Sequence, residues 1–192
     1  MKGIAAILII LLPITLIVLA LAVKRQPVDE LDRQGLALFN SGDYDAAIKM
    51  WQKGLEIDPN SLVILNRIGV ALTQKEDFLA ARETFLKAIE IDPDYPQSHF
   101  NLGLLYLYME NEAKAIEELK ETIRAASWYP ETHYHLGLIY EKQGKFDLAA
   151  EEYVAEVNVN PNCAGAWRRH FILKEKQETQ PREREPASRT AE

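Results

Sequence analysis

Residues Gly42 to Asn60 read GDYDAAIKMWQKGLEIDPN, and Glu76 to Asp94 read EDFLAARETFLKAIEIDPD. In the first stretch Tyr44, Ala47, Trp51 and Leu55 recur at three- and four-residue steps, which puts them on one face of a helix. In the second, Phe78, Ala81, Phe85, Ala88 and Ile89 do the same. Both stretches close on Asp-Pro. Proline lacks the N–H that would continue a helix and turns the residue before it away from helical angles. A lone helix has no means of burying such a stripe, so the echo predicts a neighbour packed against it.

Outward from this pair, glycines stand at Gly35, Gly69, Gly103 and Gly137, each 34 residues after the last. The same step carries Ala47, Ala81, Ala115 and Ala149, the bulky Trp51, Phe85, Leu119 and Tyr153, and the closing Pro59, Pro93 and Pro161. Leu65, Ile68, Gly69 and Leu72 form a first-helix stripe, with Gly69 admitting the partner helix where a larger side chain would clash. One unit departs from the pattern. Glu112 stands where Tyr44, Phe78 and Phe146 stand elsewhere, and Ser127 replaces the closing proline, leaving Pro130 as the expected stop.

Several rows in one phase resemble the tetratricopeptide repeat family, whose unit is a helix-turn-helix of 34 residues. The units are residues 28–61, 62–95, 96–129 and 130–163. The resemblance implies an all-α fold, a right-handed α-solenoid in which each hairpin buries its neighbour's stripe. It also implies a concave groove lined by first helices, which takes a peptide or a partner helix. The groove rows would be Asp32, Asn66, Phe100 and Tyr134, then Leu36, Val70, Leu104 and Leu138, then Asn40, Gln74, Tyr108 and Lys142. From these, Asn66, Val70, Phe100, Leu104, Tyr108, Tyr134 and Leu138 are the expected partner-binding residues, with Phe100 and Tyr134 as aromatic anchors. Members that grip acidic chaperone tails use a clamp of lysines, asparagines and an arginine. Asp32 and Leu36 stand where its Lys/Asn pair would be, so that ligand is not expected.

The ends read differently. Gly3 to Val23, GIAAILIILLPITLIVLALAV, is free of charge, and a helix of that length spans roughly 30 Å of hydrocarbon. Pro13 is tolerated in lipid better than in water. Residues 1–23 therefore predict a single-pass membrane anchor, joined to the repeats by a linker at 24–27. The rival reading is a cleaved secretory signal, with Lys2, the apolar run and a small-x-small site at Ala20-Leu21-Ala22. Lys2 on one side faces Lys24 and Arg25 on the other, so charge does not choose the side of the repeats. Past Cys163, residues 164–176 predict a capping helix with Trp167, His170 and Phe171 as its apolar stripe. Residues 177–192, QETQPREREPASRTAE, have the composition of a disordered tail.

With 22 Lys and Arg against 29 Asp and Glu, the net charge of -7 disfavours a nucleic-acid surface. A single cysteine rules out an intrachain disulfide or a Cys-rich zinc site. His99 and His133 share the row of Leu31 and Leu65 and read as packing histidines, and neither His135 nor His170 has metal-ligand company at helical spacing. Glu117, Glu118 and Glu121 alternate with Lys114, Lys120 and Arg124, the pattern of an ion-paired surface. No phosphate-loop, dinucleotide, zincin or nucleophile-elbow motif occurs. The expectation is a binding protein rather than an enzyme, without metal or cofactor: a membrane-anchored adaptor that recruits a protein or peptide. Its alternatives are a self-assembling, homo-oligomeric scaffold and a secreted soluble repeat protein.

Overall fold

The computed structural model describes residues 27–179, and all the regular structure among them is helical. The chain forms two compact units, the first ending at Asn111 and the second beginning at Glu112. The first contains α1 (residues 27–40), α2 (Tyr44–Ile57), α3 (Leu62–Gln74), α4 (Phe78–Ile91) and α5 (Pro96–Tyr108). The second contains α6 (Glu112–Ala125), α7 (Thr132–Lys142), α8 (Phe146–Val159) and α9 (Ala164–Thr179).

Within each unit the helices pair as hairpins on the glycine row. A Cβ built on Gly35 would run into the Trp51 indole, one on Gly69 into the Phe85 ring, and one on Gly137 would lie 2.5 Å from the Tyr153 ring. The aromatic side chain of each second helix thus occupies the space that glycine leaves on the first. Trp51, Phe85 and Tyr153 are buried, as are the small partners Ala47, Ala81 and Ala149. Where the aromatic has a polar atom, the first helix satisfies it. Trp51 Nε1 donates to Asp32 Oδ1 at 3.1 Å, and the Tyr153 hydroxyl to Glu141 Oε2 at 2.7 Å.

The turns repeat as closely as the helices. Asp43 N donates to Leu38 O, Asp77 N to Leu72 O, Asn111 N to Tyr106 O and Lys145 N to Tyr140 O, all at 2.8–3.0 Å. In each, the preceding residue is left-handed: Gly42 (φ 84), Glu76 (φ 62), Glu110 (φ 57) and Gly144 (φ 73). This is the Schellman ending, which satisfies terminal carbonyls and suits glycine. Asp43 Oδ1 and Asp77 Oδ1 then accept Ala46 N and Ala80 N to start the next helix.

Three sequence expectations need correction. First, α6 is not stopped by Pro130. It ends at Ala125, on the same step as Ile57, Ile91 and Val159, and residues 126–131 are non-helical. Second, the capping helix turns a different side inward. Ala166 and Leu173 are buried, whereas Trp167 and Phe171 are 53% and 60% exposed. Ala166 and Leu173 continue the rows of Ile64, Ser98 and Thr132 and of Ala71, Leu105 and Ile139, all buried. Phe171 falls on the glycine row, which in the hairpins faces a second helix, and none follows α9 among the described residues. Third, α9 runs to Thr179, into the stretch expected to be tail. The expected membrane span, Gly3 to Val23, lies outside the described residues, among which no helix is long and apolar enough to cross a membrane.

Candidate functional site

The first helices of the hairpins carry the expected groove residues, and burial divides them. In the first unit, Asn66 is 1% exposed and points between α3 and α5. Its Nδ2 donates to Leu62 O at 2.9 Å and to Ser98 Oγ at 2.8 Å, while its Oδ1 accepts from Asn101 Nδ2 at 2.9 Å. Those contacts satisfy an amide that would otherwise be costly to bury. Phe100 is buried at 9% exposure. Val70 and Leu104 are half-buried, and Tyr108 is 63% exposed. At the other end of the rows, Asp32 accepts from Trp51 and lies 2.7 Å from Arg67 Nε.

In the second unit Tyr134 and Leu138 are half-buried, and Lys142 Nζ pairs with Glu112 Oε1 at 2.6 Å. Tyr134 sits 6.0 Å from the Tyr153 ring, centroid to centroid, and against Gly165 of α9. There α7 and α9 enclose a notch of about 240 Å³, lined by Tyr134, Glu141, Gly165, Arg168, Arg169 and Ile172. Arg169 Nη1 donates to Glu141 Oε2 at 2.9 Å, the oxygen that also receives the Tyr153 hydroxyl. Burial works against the charge on Arg169, and its hydrogen bonds to Glu141 and Tyr134 more than offset this, raising its pKa. Burial, followed by the bond to Glu141, pushes the Tyr153 hydroxyl well above its ordinary value. Sequence reading missed Arg168 and Ile172, although the signal was present. One further step of 34 from Tyr134 and Leu138 lands on them.

Two of the histidines make polar contacts within the fold. His99 Nε2 lies 2.9 Å from Pro93 O, and His133 Nδ1 lies 2.7 Å from Glu152 Oε2. Burial holds His135 below its usual pKa, with Glu131 acting against it. Among the described residues no group of three or more His, Cys, Asp or Glu is placed to hold a metal ion. Glu121 pairs with Arg124 at 2.6 Å on an exposed surface.

The comparisons agree with this architecture. Tetratricopeptide repeat models match residues 28–61 and 100–167, and a TPR repeat model matches 69–109. A crystal structure of MamA is 26% identical, with TM-score 0.64, over 75% of this chain and 84% of that one. MamA from Desulfovibrio magneticus RS-1 is 17% identical, with TM-score 0.64, over 79% and 86%. YrrB, described as a TPR protein with an unusual peptide-binding site, is 19% identical, with TM-score 0.59, over 78% and 77%. No curated protein matches the sequence significantly. Repeat models matching residues 28–61, 69–109 and 100–167, on hairpins three of which close a glycine against an aromatic ring, make this chain a member of the tetratricopeptide repeat family.

Proposed function

We propose that this protein is a membrane-anchored adaptor that binds an extended peptide or a partner helix along the first helices of its repeats, to assist assembly or regulation of a complex at that membrane. The reading is carried by apolar side chains left partly in solvent on those helices. Val70, Leu104 and Tyr108 lie in the first unit, Tyr134 and Leu138 in the second. Partly exposed apolar rows on a rigid scaffold mark interaction surfaces, and aromatic residues carry much of their binding energy. Asn66 ties α3 to α5 beneath the surface through Ser98 and Asn101, and Phe100 is buried. YrrB offers a precedent for peptide binding on this fold, though it assigns no residue here. Recognition on this reading involves no catalysis.

The anchor rests on the uncharged run from Gly3 to Val23. Tethering to a membrane that also holds the partner raises effective concentration, so a modest groove affinity suffices. Amino-terminal sequencing of the mature protein tests the anchor: a chain beginning at Val23 means a cleaved signal and a released protein. For the groove, the test is a Leu104→Ser, Tyr108→Ala double variant compared with the unaltered chain in peptide or partner capture. Lost capture at an unchanged melting temperature is expected. Unchanged capture by the folded variant removes these residues from the site.

A second reading, self-association, is favoured by Trp167, Phe171 and Ile172, which leave α9 with an exposed apolar side. Concentration-dependent sedimentation, abolished by Trp167→Ser with Phe171→Ser, would support it over the adaptor reading.

A further inference from the structure

The notch between α7 and α9 differs in charge from the acidic chain around it. Arg168 is exposed on its rim, and no carboxylate pairs with it among the described residues. Beside it, Arg169 is fixed by Glu141 and Tyr134, and Glu141 is itself fixed by the Tyr153 hydroxyl. The three charged groups leave one net positive charge in a chain of net charge -7. A guanidinium held in place presents its remaining N–H donors with little further loss of freedom. Gly165 keeps the notch open, since a Cβ there would lie 3.0 Å from the ring and hydroxyl of Tyr134.

Resting on the groove reading above, we propose that this notch is the anion-binding end of the groove and takes one carboxylate of an extended partner peptide. Arg168 supplies the charge-assisted hydrogen bonds, Arg169 adds a second guanidinium, and Ile172 with the Tyr134 ring receives an adjacent apolar side chain. A carboxylate suits the site better than a phosphate. Glu141 lines the same notch and repels a dianion more than a monoanion, and a space of about 240 Å³ holds one or two side chains. Sequence position supports the assignment, because Arg168 and Ile172 extend the Tyr134 and Leu138 rows by one repeat step.

The test is selection of peptides from a displayed library of random twelve-residue sequences, with the full chain in mild detergent as bait. Baits are the unaltered protein, Arg168→Glu and Gly165→Val, each checked for an unchanged melting temperature. The unaltered bait should enrich peptides bearing Asp or Glu beside an apolar residue. Arg168→Glu should lose that preference, and the best peptide should bind it about tenfold more weakly, the scale of one charge-assisted contact. Gly165→Val should weaken the same peptide without changing the charge of the notch. Remaking that peptide with an amidated end separates the sources: loss of binding assigns a terminal carboxylate, and retention assigns a side chain. Enrichment without acidic preference, or one unchanged in Arg168→Glu, overturns the notch assignment and leaves the groove reading standing. If the unaltered chain selects no peptide, both fall.

Discussion

Gly54, Ala88, Thr122 and Glu156 occupy one row of the second helices, and only the last carries a carboxylate. Glu156 is fully buried, and its oxygens accept from Glu131 N at 2.8 Å and Tyr134 N at 3.4 Å, at the start of α7. The reason lies in the loop before it. Glu131 takes the N-cap position with φ 65 and makes no side-chain cap, so a side chain from α8 satisfies amides that a local Ser or Asp would otherwise bind. Glu156→Ala should lower unfolding free energy by about 1–2 kcal/mol, the range for a lost cap, measured by urea denaturation. Glu156→Gln, which keeps an acceptor oxygen, should lose less. Equal losses would assign Glu156 a different role. At the turns, Glu76 sits left-handed and exposed where Gly42 and Gly144 sit at ease. Because that conformation strains a side-chain-bearing residue by roughly 1 kcal/mol, Glu76→Gly should raise the denaturation midpoint, and a fall would contradict the strain. The sequence shows the glycine–aromatic rows plainly, because each contact recurs at a fixed step. It hides Glu156, since a cap supplied from 25 residues away leaves no local motif.

Among the second helices, α2, α4 and α8 anchor on Trp51, Phe85 and Tyr153, whereas α6 buries only Ala115, Leu119 and Thr122. With less apolar area held from water, its amides should exchange hydrogen fastest of the four, as local openings cost least where few large side chains are buried. Exchange in α4 faster than in α6 would contradict this. The pairing of α7 with α8 and α9 runs through Tyr153, Glu141 and Arg169. Tyr153→Phe should cost about 1 kcal/mol, the net value of one hydrogen bond. The sign with pH follows from the raised pKa of the Tyr153 hydroxyl. That group contributes stability present below the unfolded tyrosine value and lost as pH rises above it. The unaltered protein should therefore lose stability above about pH 10 more steeply than the Phe variant. Parallel curves would remove the link. The inward face of α9 was hard to read because its stripe consists of Ala166 and Leu173, while its large apolar residues, Trp167 and Phe171, point to solvent. Size misleads where no second helix follows among the described residues.

Across the whole chain, the break between the two compact units falls at Asn111 and Glu112, the position at which Glu112 replaces the aromatic of the other repeats. That departure was visible in the sequence, and so were the repeat period and the family. The expected groove residues were harder to sort, because first-helix position alone does not tell exposure. Asn66 is drawn inward by Ser98 and Asn101, which lie 32 and 35 residues away. The central claim is that partners meet the first-helix surface of the repeats rather than the second-helix surface, where Leu79 is also 62% exposed. Photo-crosslinking in cells from a reactive residue placed at Tyr108, at Leu138 or at Leu79 tests it most directly. One common adduct is expected from Tyr108 and Leu138, and none from Leu79. An adduct formed from Leu79 alone would contradict it.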